Sequence, residues 1–266
     1  MTKRRHRLCG PSRGFTLVEA IVVIVVTGIL ASAVAVFLRA PVQAYLDVAR
    51  RAELTDIADT ALRRISRDLR LALPNSIRVT AGDTAIEFIP VKSAGRYRAD
   101  GPGNLLDFSS GADTSFDVIG PGVDIQTGDF VVIYNLGIAE ADAYPPGLNR
   151  RAVPPASTGS GLSAVTFTST GLPFPFASPA RRFQVVGTPV SYICAGGVLT
   201  RYWNYNFGTT PPAGSSGVLA SNVSSCRFSY QAGVTAQNAL LTLELGITKD
   251  NETVNLIQQV HVSNVS

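Results

Sequence analysis

From Ala20 to Leu38 the chain carries no charged side chain, a run of 19 residues. Wound as an α-helix, that run spans roughly 28 Å, close to the hydrocarbon thickness of a bilayer. Glu19 stands directly before it, five residues after Gly14. A carboxylate near the bilayer interior costs at least a few kcal/mol. A plain anchor has no use for such a group, so the position calls for something that offsets the cost.

The charge around the run is one-sided. Residues 1–14 hold Lys3, Arg4, Arg5, Arg7 and Arg13 and no acid. That excess favours keeping them in the cytoplasm, with the remainder projecting outward. Without these five cations the chain has 18 basic against 19 acidic residues. The overall pI near 9.1 thus belongs to the N-terminal segment and is no argument for a nucleic-acid partner. The pairs Arg150-Arg151 and Arg181-Arg182 are isolated and point only weakly to phosphate contacts.

After Pro41 the pattern remains helical. Tyr45, Ala49, Ala52, Ile57, Ala61, Ile65 and Leu69 recur at helical spacing, and Leu54, Ala58 and Leu62 widen the stripe. Asp47 with Arg51, and Asp59 with Arg63, stand four apart as expected ion pairs. Pro74 is the expected stop. A helix from Phe15 to about Leu73 would run on the order of 90 Å. Arg63, Arg64, Arg67 and Arg70 read as a solvated basic face near its end.

Beyond Pro74 the texture is strand and turn. "SIRVTAGDTAIEFIP" reads as two strands joined at Ala81-Gly82-Asp83. "VSYICAGGVLTRYWNY" reads as a hairpin turning at Ala195-Gly196-Gly197. Leu241, Leu243, Leu245 and Ile247 alternate with polar neighbours, and Val254, Leu256, Val260 and Val262 continue the alternation after a polar turn. Stretches at 93–123, 142–163, 171–180 and 208–217 read as long surface loops. The expected class is α+β, a long helix packed on an antiparallel sheet. Cys194 and Cys226 lie far beyond the apolar run. In an oxidising compartment they would join, closing a 33-residue loop; two buried free thiols are the alternative.

Enzymatic chemistry finds little support. The histidines are His6 and His261, and His261 lies between Val260 and Val262 in a strand pattern, where a packed structural role is expected. There is no GxSxG elbow, no HExxH helix, no CxxC and no phosphate-binding GxxxxGK[ST] loop. No metal or cofactor is expected. The aromatic group Tyr202, Trp203, Tyr205 and Phe207 reads first as packing and second as a surface for sugars or a partner.

The segment "Gly14, Phe15, Thr16, Leu17, Val18, Glu19", with its cationic leader and apolar continuation, resembles the class III signal of type IV prepilins and pseudopilins. The resemblance implies cleavage between Gly14 and Phe15 by a membrane aspartyl prepilin peptidase and N-methylation of Phe15. It also implies a role for Glu19 in filament assembly, opposite the cationic amino terminus of a neighbouring subunit. Gly28 matches a frequent family glycine. Val36 stands where the family often has proline, and Pro41 follows it. The implied organisation is a cleaved cytoplasmic leader 1–14, a transmembrane and filament-core helix 15–40, an amphipathic continuation 41–73, and a β-rich head 74–266.

Leu38 to Val79, together with "VSYICAGGVLTRY" and "LASNVSSCRFSY", is similar to minor pilins of the mannose-sensitive haemagglutinin (MSHA) pilus. Type II secretion pseudopilins of the J-type and PilW-like minor pilins are the nearest alternatives. The implied partners are other pilins through the N-terminal helix, the prepilin peptidase and an inner-membrane assembly platform. Localisation follows as inner membrane before assembly and pilus surface afterwards.

Overall fold

A computed structural model describes residues 14–80, 82–146, 148–208, 214–231 and 238–265. The leader through Arg13, with Cys9 and His6, lies outside the described residues, as does Ala81 of the first expected turn. The chain divides into an N-terminal unit ending at Arg50 and a compact unit, Arg51–Ser266. One helix, α1 (Leu17–Arg70), runs through the boundary.

In the first unit the apolar side chains of α1 are not covered by any of the described residues. Ile21, Val22, Ile24, Ile29, Val36 and Phe37 are all exposed, and this part of the helix is long and apolar enough to cross a membrane. The hydroxyl groups of Thr27 and Ser32 are satisfied within the helix. The Thr27 hydroxyl donates to the Val23 carbonyl at 2.6 Å, and Ser32 donates to that of Ile29 at 2.8 Å. Such internal bonding is what an apolar solvent demands. Pro41 is contained within the helix.

In the second unit α1 buries one face. Leu54, Ala58, Ala61, Leu62, Ile65 and Leu69 are each at most 3% exposed. The buried stripe therefore begins at Leu54, later than the spacing suggests: Tyr45, Ala49 and Ala52 are exposed. Arg51 does not take Asp47 as its partner. It reaches Glu252 at 3.0 Å, while Asp47 pairs with Arg50 at 3.4 Å. The expected Asp59–Arg63 pair forms at 2.6 Å. The helix ends at Arg70, before Pro74, because the chain then joins the sheet region: the Leu73 N–H donates to Ile89 O at 2.7 Å and that of Val91 to Leu71 O.

Two antiparallel sheets receive the helix stripe. One contains β1 (Arg78–Thr80), β2 (Ala85–Phe88), β11 (Val190–Ala195), β12 (Val198–Trp203) and β13 (Ser215–Ser221), in the order β1-β2-β11-β12-β13. The other contains β14 (Val223–Gln231), β15 (Asn238–Lys249) and β16 (Glu252–Ser263). Strand β15 shows why its residues choose this state: Ala239, Leu241, Leu243, Leu245 and Ile247 are buried while Thr242 and Glu244 alternate outward. Each fully buried leucine contributes about 1.5–3 kcal/mol. Asp250 and Asn251, with φ of 50° and 66°, form the two-residue turn that the twist of a hairpin favours. Gly196 and Gly197, at φ 58° and 76°, do the same between β11 and β12.

Strands β2 and β11 are hydrogen-bonded neighbours, so residues 89–189 leave and return as an inserted lobe. It holds β3 (Val91–Tyr97), β4 (Ser115–Ile119), β5 (Val123–Ile125), β6 (Phe130–Val132), β7 (Arg150–Ala152), β8 (Gly159–Leu162), β9 (Ala164–Thr166) and β10 (Arg182–Val186). Six of these form one sheet, β7-β6-β10-β3-β4-β9, and β5 pairs with β8. Its core is aromatic: Phe116 meets Phe183 edge-on at 5.0 Å, flanked by Tyr97, Phe167 and Phe174. Gly95 is required there, because a Cβ would lie 2.8 Å from the Phe183 ring. The stretches 93–123 and 142–163 are thus not mere loops. Their strands are three to seven residues long, and their long-range partners, not a local period, hold them.

The architecture is α+β: one long N-terminal helix followed by antiparallel sheets, as in pilin-like proteins.

Candidate functional site: the N-terminal segment

Gly14, Phe15 and Thr16 precede the helix outside regular secondary structure and are exposed. A peptidase needs that access. Among the described residues the fold makes no demand for glycine at position 14: an added Cβ would meet nothing within 4 Å, and φ is not in the left-handed region. The same open space surrounds Gly28, although glycine in a helix interior costs about 1 kcal/mol relative to alanine. Both glycines are therefore explained by something outside the chain's own packing.

Glu19 lies in the first turn of α1 and is exposed. Its backbone N–H donates to the Thr16 hydroxyl oxygen at 3.3 Å. Thr16-x-x-Glu19 has capping-box spacing, in which the threonine satisfies an orphan N–H and an acid favours the positive end of the helix dipole. Thr16 is the functional residue that the reading of charge and hydropathy missed, although its three-residue offset from Glu19 was visible. The carboxylate thus has a local use as a cap. That use leaves its negative charge open to an external cation.

In the head, Cys194 of β11 and Cys226 of β14 are joined as a disulfide with Cα atoms 6.3 Å apart. Cys226 lies within β14, and the bridge ties the five-stranded sheet to the three-stranded one. Arg150 and Arg151, at 8% and 2% exposed, do not form a surface basic pair that could lie along a nucleic-acid backbone. The Arg151 guanidinium donates to the carbonyls of Leu148, Arg150, Leu172 and Pro173 and lies over the Phe174 ring. Arg181 is paired with Asp100 at 2.8 Å. Tyr205 is buried, and its hydroxyl donates to Glu87 at 2.8 Å; burial pushes its ionisation above the ordinary range. Tyr202, Trp203 and Phe207 are half-buried. His261 sits on the exposed face of β16, which corrects the expectation of a packed histidine. Among the described residues no cluster of three or more His, Cys, Asp or Glu is arranged to hold a metal.

Residues 10–35 match the family model described as the prokaryotic N-terminal methylation motif. Searches of curated proteins and of solved structures return no match. The motif marks a type IV pilin-like or pseudopilin protein, processed by a prepilin peptidase and assembling with other pilins. Its family is structural, not enzymatic. With the apolar helix, it supports membrane anchoring before assembly.

Proposed function

We propose that the chain is a minor pilin of a type IV pilus, of the MSHA type and similar to MshO, that initiates, caps or decorates the filament. The leader 1–14 is removed after Gly14, Phe15 becomes the methylated first residue, and residues 15–40 serve first as membrane anchor and then as filament core. The segment 41–73 joins this core to the head, 74–266. The observation that carries the reading is the pairing of an uncovered apolar N-terminal half of α1 with an exposed carboxylate in its first turn.

The physical logic is burial in two solvents. In the inner membrane, lipid covers Ile21, Val22, Val25 and Ile29. In a filament, helices of neighbouring pilins cover them instead. Gly28, with open space around it, admits a close helix approach. Glu19 sets the register, because a cationic amino terminus and a carboxylate attract strongly where water is excluded and either is costly alone. The inner-membrane platform and a separate cytoplasmic ATPase supply the extrusion. The head, enlarged by the 89–189 lobe, suits a low-copy subunit better than one repeated along the shaft.

Quantitative immunoblotting of sheared filaments tests the role. The protein should be present far below the major subunit, and its deletion should reduce filament number. Normal filaments combined with failed export of folded proteins would replace this reading with that of a J-type pseudopilin.

A further inference from the structure

Apart from filament assembly, the head contains a cavity of about 680 Å³ walled by β1, β2, β6, β7, residues 144–146 and residues 206–208 beyond β12. Its polar groups are paired in an uneven way. Arg78 is ion-paired with Asp142 and stacks over the Tyr144 ring at 3.6 Å. The second oxygen of Asp142 accepts the Tyr144 N–H at 3.0 Å. Glu87 accepts the Ser191 hydroxyl at 3.2 Å and the Tyr205 hydroxyl at 2.8 Å. Both carboxylates are therefore engaged.

Arg150 is different. It is 8% exposed, and its guanidinium lies 3.3 Å from the Phe207 ring centroid and 5.0 Å from that of Phe130. Its Nη1 is buried and has no hydrogen-bond partner among the described residues. Loss of hydration lowers its pKa to about 10, opposed only by the field of Asp142. A buried cation with an unmet donor is costly, and a planar carboxylate is the acceptor whose geometry matches the guanidinium fork.

We propose that this cavity binds an organic monocarboxylate with an apolar body, its carboxylate received by Arg150 and its body by Phe130, Phe207 and the neighbouring prolines. One unmet guanidinium calls for one negative charge. The charge of Glu87, met only by neutral hydroxyls, disfavours each further negative charge and so weighs about twice as heavily on a dianion such as phosphate. The ring faces and prolines leave little provision for a polyhydroxylated body.

Calorimetry on the full-length protein in detergent micelles tests this, with N-acetylphenylalanine as probe. Its neutral amide and glucuronate are the controls. The acid should saturate with Kd about 1 mM or tighter, and the amide should bind at least about tenfold more weakly. Arg150→Met should weaken the acid by a similar factor, and Arg78→Gln, at the more exposed rim, by less. Should Arg150→Met not fold, protection decides: the acid, but not the amide, should slow phenylglyoxal modification of Arg150 in the wild-type chain. Equal binding of acid and amide, no saturation, an unaltered Arg150→Met, or no protection would overturn the proposal. Glucuronate binding in preference to N-acetylphenylalanine would overturn the apolar-body assignment.

Discussion

Glu19→Gln should leave membrane insertion and leader removal intact and abolish recovery of the subunit in sheared filaments. Glutamine keeps the capping-box chemistry that the Thr16–Glu19 geometry supports. It removes only the charge. If the carboxylate served merely as a helix cap, the variant would assemble normally. If it answers the cationic Phe15 amine of an adjacent subunit, the variant leaves that amine unpaired in an apolar bundle. Breaking one side of a buried ion pair costs about 3–5 kcal/mol, enough to reduce incorporation by more than about a hundredfold. The readout is the ratio of filament to membrane signal, which separates assembly from expression. Wild-type incorporation would show that the cap explains Glu19.

The second large effect concerns the head. Cys194→Ser with Cys226→Ser should destabilise it by about 3–4 kcal/mol on the chain-entropy view of a 33-residue closed loop, lowering Tm by about 10 °C. The position gives a reason to expect the full effect. The bridge joins two sheets, and few backbone hydrogen bonds cross near it: Phe228 N–H to Asp83 O at 2.7 Å and Val223 N–H to Gly197 O at 2.9 Å. Helix α1 packs on both sheets, so opening this seam weakens its burial as well. Thermal unfolding of the double variant, followed by circular dichroism, gives the measurement. An unchanged Tm, or two alkylatable thiols in the native wild type, would contradict this.

How much of this was legible in the sequence depends on how far apart the interacting residues lie. The N-terminal segment is one-dimensional information: a leader charge, a glycine, a carboxylate and an apolar run, all within forty residues. The β15–β16 pair was equally readable, because one face is buried and the period of two is unbroken through a short turn. The start of the helix stripe was not. Tyr45, Ala49 and Ala52 have the right spacing, but spacing cannot say where a partner surface begins. Arg51 illustrates the same limit, since its partner Glu252 is 201 residues away. Within the inserted lobe "DFVVIYNLG", "AVTFTS" and "RRFQVVG" read as strands and contain β6, β9 and β10, whereas segments such as "VKSAGRY" were hidden because they are short or glycine-bearing and are held by partners distant in the chain. Arg150 and Arg151 looked like surface cations; only the fold shows them enclosed by aromatic rings and carbonyls.

Intact mass spectrometry of the protein from cells carrying an active prepilin peptidase tests the central claim most directly. The mature chain should begin at Phe15 and carry one added methyl group. A mass corresponding to an intact Met1 start, or to a cut after Ala33 that discards the helix, would contradict it.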